Sequence, residues 1–254
     1  MDFLHIRHAT SLITYQGLKI LIDPVLAPKG HVPPIAMTPC PNRNPTVELP
    51  FGDEALAKHL STLDLILVTH RHQDHYDNVA KETLPKHIPV LCQPQDEAAF
   101  ISDGFATVLP VSDTLNFKGI QVSKTEGQHG LGRKDLGPVS GFVLKADSEP
   151  LVYFAGDTVW CPEVENALLE HRPHVVVVNA GGAGFLTGTP ITMTHEDIGH
   201  IMKIDPHTRV IAVHMEAINH CVQSRQELEQ RAREHEYLHR LLIPKDGQEL
   251  INIH

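Results

Sequence analysis

The apolar run Leu63 to Val68 ends on Thr69-His70-Arg71-His72-Gln73-Asp74-His75, an H-x-H-x-D-H cluster with four metal-type side chains in six residues. No other stretch narrows the choice of fold so far. The pattern places its ligands where a buried strand runs out into a loop. Imidazole suits zinc and other first-row divalent metals, and the carboxylate widens the range toward harder ions. A loop of this spacing can turn His70 and His72 toward one metal and Asp74 and His75 toward a neighbour. The bland alternative is a surface turn rich in histidine, in a chain with 19 of them. Four ligands at this spacing, an aspartate among them, read instead as a metal centre.

Other segments supply further ligands in similar settings. Glu126-Gly127-Gln128-His129-Gly130 follows a strand expected to end near Lys124, with glycines that leave room for backbone beside a metal. Tyr153-Phe154-Ala155-Gly156-Asp157 puts an acid directly after an apolar strand, and a carboxylate there can bridge two metals or simply cap a turn. Arg209 to Val213 is an apolar strand ending on His214. Each is weak alone, and together with the first cluster they point to one site.

The elements around these ligands alternate. Leu12 to Tyr15 and Leu18 to Ile22 read as strands joined by a Gln16-Gly17 hairpin turn, stopped by Asp23-Pro24. Further strands are expected at 64–68, 90–92, 107–109, 115–124, 139–146, 151–155, 175–178 and 210–213. Helices are expected at 53–60, 78–86, 95–101, 163–171, 195–203 and 225–242. Thr194 and Asp197 form a capping box for the fifth helix. Residues 27–52 hold seven prolines and fit neither helix nor central strand. This stretch is either a stiffened surface excursion or a loop that covers substrate. The alternation predicts an α/β chain, one domain over residues 1–254, with two sheets face to face and helices outside.

The order of these motifs resembles the metallo-β-lactamase superfamily. His8-Ala9-Thr10-Ser11-Leu12-Ile13 and Leu21-Ile22-Asp23-Pro24 are similar to its branch of ascorbate-6-phosphate lactonases and phospholipase D-type phosphodiesterases. The resemblance implies a four-layer αββα sandwich with two divalent metals at one edge, zinc first and manganese or iron as alternatives. By position, His70, His72 and His129 would hold one metal. Asp74, His75 and His214 would hold the other, with Asp157 bridging and Asp23 supporting the ligand loop. Asp74 would also orient the nucleophile. His195 and His220 fall near the same edge and are candidates to touch substrate. Cys40, Cys92, Cys161 and Cys221 form no C-x-x-C pair and read as reduced thiols, with Cys221 the one near the metal loops.

The expected activity is hydrolysis of a small ester or lactone, with a phosphodiester as the alternative and a non-catalytic metal-binding module behind both. A di-iron redox role would normally bring a flavin domain, for which the chain has no spare length. The net charge of -10 disfavours nucleic acid as a partner. No apolar stretch is long enough to span a bilayer and no export signal is apparent, so a cytoplasmic small-molecule enzyme is expected. The charged segment 225–242 offers no clear interface, which leaves the oligomeric state open.

Overall fold

A computed structural model of the 254-residue chain describes residues 1–253. The first sheet has the order β14-β1-β2-β3-β4-β5-β6. Its strands are β1 (Asp2–Arg7), β2 (Thr10–Tyr15), β3 (Leu18–Ile22), β4 (Leu65–Val68), β5 (Val90–Cys92), β6 (Val108–Pro110) and β14 (Glu249–Leu250). The second has the order β13-β12-β11-β10-β9-β8-β7. It contains β7 (Thr114–Phe117), β8 (Ile120–Glu126), β9 (Ser140–Lys145), β10 (Val152–Phe154), β11 (Val175–Asn179), β12 (Arg209–Val213) and β13 (Leu241–Leu242). Helices α1 (Asp53–Leu60), α2 (Asn78–Thr83) and α3 (Glu97–Ser102) serve the first sheet. Helices α4 (Pro162–His171), α5 (His195–Ile204) and α6 (Arg225–Glu234) serve the second.

Three apolar layers account for this arrangement. Phe3, Ile20, Leu65 and Leu67 meet Ile120, Phe142, Val175 and Val177 between the sheets. Ile66 and Val68, on the other face of β4, pack with Ala80 and Phe100 beneath the first set of helices. Val176 and Val178 pack with Leu168, Ile198 and Leu228 beneath the second. Strands covered on both faces have no polar side to present, which is why β4 and β11 read as unbroken apolar runs. The result is the expected αββα sandwich.

Topology brings the ligand-bearing strand ends together. β3, β4, β5 and β6 are mutually parallel, and β1 matches them through two antiparallel steps. β10, β11 and β12 are parallel, and β8 matches them through β9. The carboxyl ends of β1, β3 and β4 therefore share one edge of their sheet, and those of β8, β10, β11 and β12 share one edge of theirs.

Several elements differ from expectation. The segment 115–124 is a hairpin, not one strand: Lys118 and Gly119 both take positive φ, 47° and 86°, and turn β7 into β8. Helix α2 stops at Thr83 because Leu84 precedes Pro85, and the ring forces Leu84 into extended backbone, ψ 134°. The charged helix from Arg225 ends at Glu234. Glu236 turns left-handed (φ 60°), Tyr237 is buried with its hydroxyl donating to the His195 carbonyl (3.0 Å), and Leu241–Leu242 joins β12 as a parallel strand. Charge alone could have continued the helix; burial of Tyr237 and Leu241 prevailed. β1, which the periodicity did not single out, is a full inner strand. No described helix is long and apolar enough to cross a membrane.

Candidate metal centre

Beyond β4 the chain turns sharply, with the amides of His75 and Tyr76 both bonded to the His72 carbonyl at 2.9 Å. This folds His70, His72, Asp74 and His75 back on the strand end. His129 arrives from β8, Asp157 from β10 and His214 from β12. Left-handed backbone serves the entry points: Asp23 (φ 42°), His8 (φ 59°) and His214 (φ 59°) hook their side chains inward. Gly156, before Asp157, also has positive φ (69°), and a Cβ there would meet the Ser140 carbonyl oxygen at 2.7 Å, so only glycine fits.

The expected ligands converge in two sets. One donor atom from each of His70, His72 and His129 lies within 4.8 Å of the others, and the same holds for His8, Asp74, His75 and His214. Asp157 stands between them. Its Oδ1 is 3.2 Å from His75 Nε2 and 3.4 Å from His214 Nε2, while its Oδ2 is 3.5 Å from His129 Nε2 and 4.0 Å from His70 Nε2. These approaches are close but poorly angled, so His75 Nε2, His214 Nε2, Asp74 Oδ2 and Asp157 Oδ2 are buried without a hydrogen-bond partner. Leaving such atoms unpaired costs about 1–3 kcal/mol each. Divalent cations are the partners that would match all four at once, and on that count the residues fit a metal centre.

The opposite ring nitrogens are held from behind. His75 Nδ1 donates to Asp23 Oδ2 (2.8 Å), and His129 Nδ1 donates to the Ile191 carbonyl (2.9 Å). Thr69 Oγ1 donates to Asp23 Oδ2 (2.8 Å) and receives His70 Nδ1 (3.1 Å). Asp23 Oδ1 also accepts from the Thr69 amide (2.7 Å). Cys221 Sγ sits 3.6 Å from His214 Nδ1. Such partners fix the tautomer, aim each Nε2 at the centre and raise its basicity. Asn179 orients the acid, donating from Nδ2 to Asp157 Oδ1 at 2.6 Å, a bond that favours the ionised carboxylate.

Electrostatics follow from two ionised aspartates in a dry site. Burial pushes the Asp74 carboxyl up, but the nearby imidazoles of His214 and His8, 3.5 and 3.6 Å from its Oδ2, and the charge of His75 outweigh it and hold the group well below its usual range. Asp157 behaves likewise, against burial, through His214 and His75. Burial pulls His75 down, yet Asp157 and Asp23 carry it up to about 10. His214 is driven well above its ordinary value against burial, chiefly by Asp157. The carboxylates demand positive charge, and protons on these imidazoles occupy the role metal cations would take. Cys221, pushed up by burial, is brought down to about 7 by His214 and His220.

A cavity of about 240 Å³ opens over the centre. It is lined by His72, Asp74, His129 and His220, by the polar Asn44 and Gln73, and by the apolar Val32, Ile35, Leu136, Phe185, Ile191 and Ile218. Val32 and Ile35 come from the proline-rich segment, which lies across the site as a strap. Buried Arg7 ties its roots, donating to the Val25, Ala27 and Val47 carbonyls. Asn219 ties its middle, accepting from the Ile35 amide and Asn44 Nδ2 and donating to Thr38 Oγ1 and the Cys40 carbonyl. The segment thus contributes Val32, Ile35 and Asn44 to the cavity lining.

His195 lies outside this cavity, a correction to its expected substrate contact. It occupies the first turn of α5, where Gln223 Oε1 receives both its amide and its Nδ1. His220 is the one that lines the cavity, only 4% exposed, with Nε2 unpartnered 3.3 Å from Asp74 Oδ2. Sequence spacing missed Asn179, Asn219 and Arg7. The asparagine that ends the otherwise all-valine β11 was the signal available for Asn179.

The model of the β-lactamase superfamily domain matches residues 3–214. The UPF0173 protein YddR of Bacillus subtilis (strain 168) is 39% identical over 253 residues, 98% of each chain. The crystal structure of isothiocyanate hydrolase from Delia radicum gut bacteria superposes with a TM-score of 0.92 at 36% identity, covering 99% of both chains. A possible metal-dependent hydrolase from Veillonella parvula DSM 2008 superposes at 0.94 and 34% identity, again over 99% of both.

Proposed function

The chain belongs to the β-lactamase superfamily and, within it, to the UPF0173 metal-dependent hydrolases, and we propose that it uses two divalent metals to hydrolyse a small, uncharged, apolar ester or lactone. The observation that carries the dinuclear reading is the division of Asp157, one oxygen toward His75 and His214 and the other toward His129 and His70. His70, His72 and His129 would hold the first metal; Asp74, His75 and His214 would hold the second. Zinc suits the set, and manganese or iron is compatible with it. Bound there, the two cations would supply Lewis acidity to the substrate oxygen and activate water near neutral pH.

The residues of the chain do the rest. Asp74, on the cavity floor, accepts a hydrogen bond from the attacking oxygen and aims it. His220 donates from Nε2 to the substrate oxygen as charge develops on it. Val32, Ile35 and Phe185 exclude water and bind the apolar substituent. At about 240 Å³ the cavity sits below the usual range for drug-sized ligands, so the substrate is small. No lysine or arginine lines it among the described residues, which favours a neutral carbonyl over a phosphodiester.

A second reading rests on the whole-chain likeness to the isothiocyanate hydrolase. The central carbon of an isothiocyanate is an electrophile on a slim, apolar molecule, and the same hydroxide delivery would serve it. The test is a hydrolysis screen of metal-reconstituted protein on lactones, carboxylic esters, isothiocyanates and phosphodiesters, with His72→Ala as the blank. Turnover of lactones or esters supports the first reading, and turnover of isothiocyanates alone replaces it with the second. Turnover confined to phosphodiesters would overturn both.

A further inference from the structure

His8 directly follows β1 and has no place among the seven ligands proposed above. It is fully buried, with 0% exposure, and both of its ring nitrogens lack a hydrogen-bond partner. Its backbone is left-handed, φ 59°, a conformation uncommon outside glycine and one in which histidine, like asparagine and aspartate, is enriched. A side chain wanted only for packing would not carry two unmatched nitrogens into a dry site. The ring lies 3.6 Å from that of His214, centroid to centroid, and Nε2 is 3.6 Å from Asp74 Oδ2. The His8 carbonyl accepts from the His214 amide at 2.7 Å, which locks the two histidines as one unit across the two sheets.

We propose that His8 is a further ligand of the second metal position, an inference that rests on the dinuclear reading. Its donor nitrogen falls with those of Asp74, His75 and His214 inside a 4.8 Å spread, which small side-chain shifts close around bonds of about 2.0–2.2 Å. With Asp157, the second position then has three imidazoles and two carboxylates. The first has three imidazoles and the shared carboxylate. Five protein donors favour an ion that accepts higher coordination numbers, whereas four suit tetrahedral zinc. The two positions should therefore differ in metal preference, with the exchangeable place for water or substrate on the first.

The test loads metal-free protein with cobalt(II), one equivalent and then a second, and follows metal uptake and visible absorption, whose intensity falls as coordination number rises. Wild-type protein is compared with His8→Asn, which tolerates left-handed backbone, and with His8→Gly as a second variant that relieves it. Loss of partners outside the coordination sphere already weakens metal binding by about 10–100-fold, so loss of a direct ligand should weaken one of the two equivalents at least tenfold. Its absorption should also intensify, with the other equivalent unchanged. Unchanged affinity and spectrum for both equivalents in both variants would overturn the assignment. Wild-type protein saturating at one equivalent would overturn the dinuclear reading itself, and is seen before any variant is made.

Discussion

Replacing Asn219 with alanine should unlatch the strap while leaving the metal ligands in place. The Asn219 amide oxygen accepts from the Ile35 amide (3.0 Å) and Asn44 Nδ2 (2.8 Å). Its nitrogen donates to Thr38 Oγ1 (2.6 Å), the Cys40 carbonyl (2.7 Å) and, less directly, the Ile35 carbonyl (3.1 Å). At a net of about 1 kcal/mol per bond, four saturated positions set an upper value near 4 kcal/mol. The freed groups of Ile35, Thr38 and Cys40 rehydrate at the surface, but Asn44 is buried and does not. The expected loss is about 2–3 kcal/mol, which raises strap opening roughly 30- to 150-fold. Amide hydrogen exchange reads this directly. The Val32 and Asn44 amides bond to each other's carbonyls and the Thr46 amide to the Ala217 carbonyl, so these three should lose protection by that factor. Core amides of β4 and β11 should keep theirs. KM should rise, since Val32 and Ile35 are cavity walls, with metal content unchanged. Unaltered exchange at Val32, Asn44 and Thr46 would refute the latch.

Three further outcomes follow from the centre. Asp157→Ala should lower occupancy at both metal positions whereas His129→Ala lowers it at one, and metal analysis showing two full equivalents in the Asp157 variant would end the bridging role. Asp23→Ala strips three hydrogen bonds, from the Thr69 amide and hydroxyl and from His75 Nδ1, and should weaken metal binding about 10–100-fold in chelator competition; affinity within threefold of wild type would contradict it. In the metal-free protein the pKa of buried His75 is raised from 6.5 to about 10, so its protonation stabilises the fold fully below pH 6.5 and that stability is lost as pH rises through 10. Urea midpoints of metal-free protein should fall over this window, and a flat profile would show that His75 carries no such proton.

The proposed ligands were legible because they follow strand ends: His70, His72, Asp74 and His75 come after β4, and His129, Asp157 and His214 after β8, β10 and β12. That is local information. His8 and Asp23 were visible only as parts of a resemblance, and neither their strain nor their contacts could be read from spacing. His195 misled because a histidine at a helix start looks the same whether it faces a cavity or, as here, a glutamine. Asn219 is legible only once the chain is folded, since its partners lie more than 170 residues away. The proline content excluded regular structure from 27–52 but could not say which surface the strap would cross. The superfamily was read correctly; the lactonase branch within it was not established by the relatives found, because substrate choice is written in the strap and cavity walls more than in the ligands.

One feature of the architecture bears on how the protein comes into being. Each set of ligands is drawn from both sheets: His70 and His72 need His129, and Asp74 and His75 need His214. During synthesis the first sheet's ligands emerge long before their counterparts, and a loop with two or three donors competes poorly for metal. Tight uptake must wait until β12 has docked and its histidine has turned inward. On the proposed ligand sets, metal acquisition would be the last act of maturation, a seal applied only to chains whose two halves are correctly mated. Truncated or misassembled chains would leave the metal pool untouched.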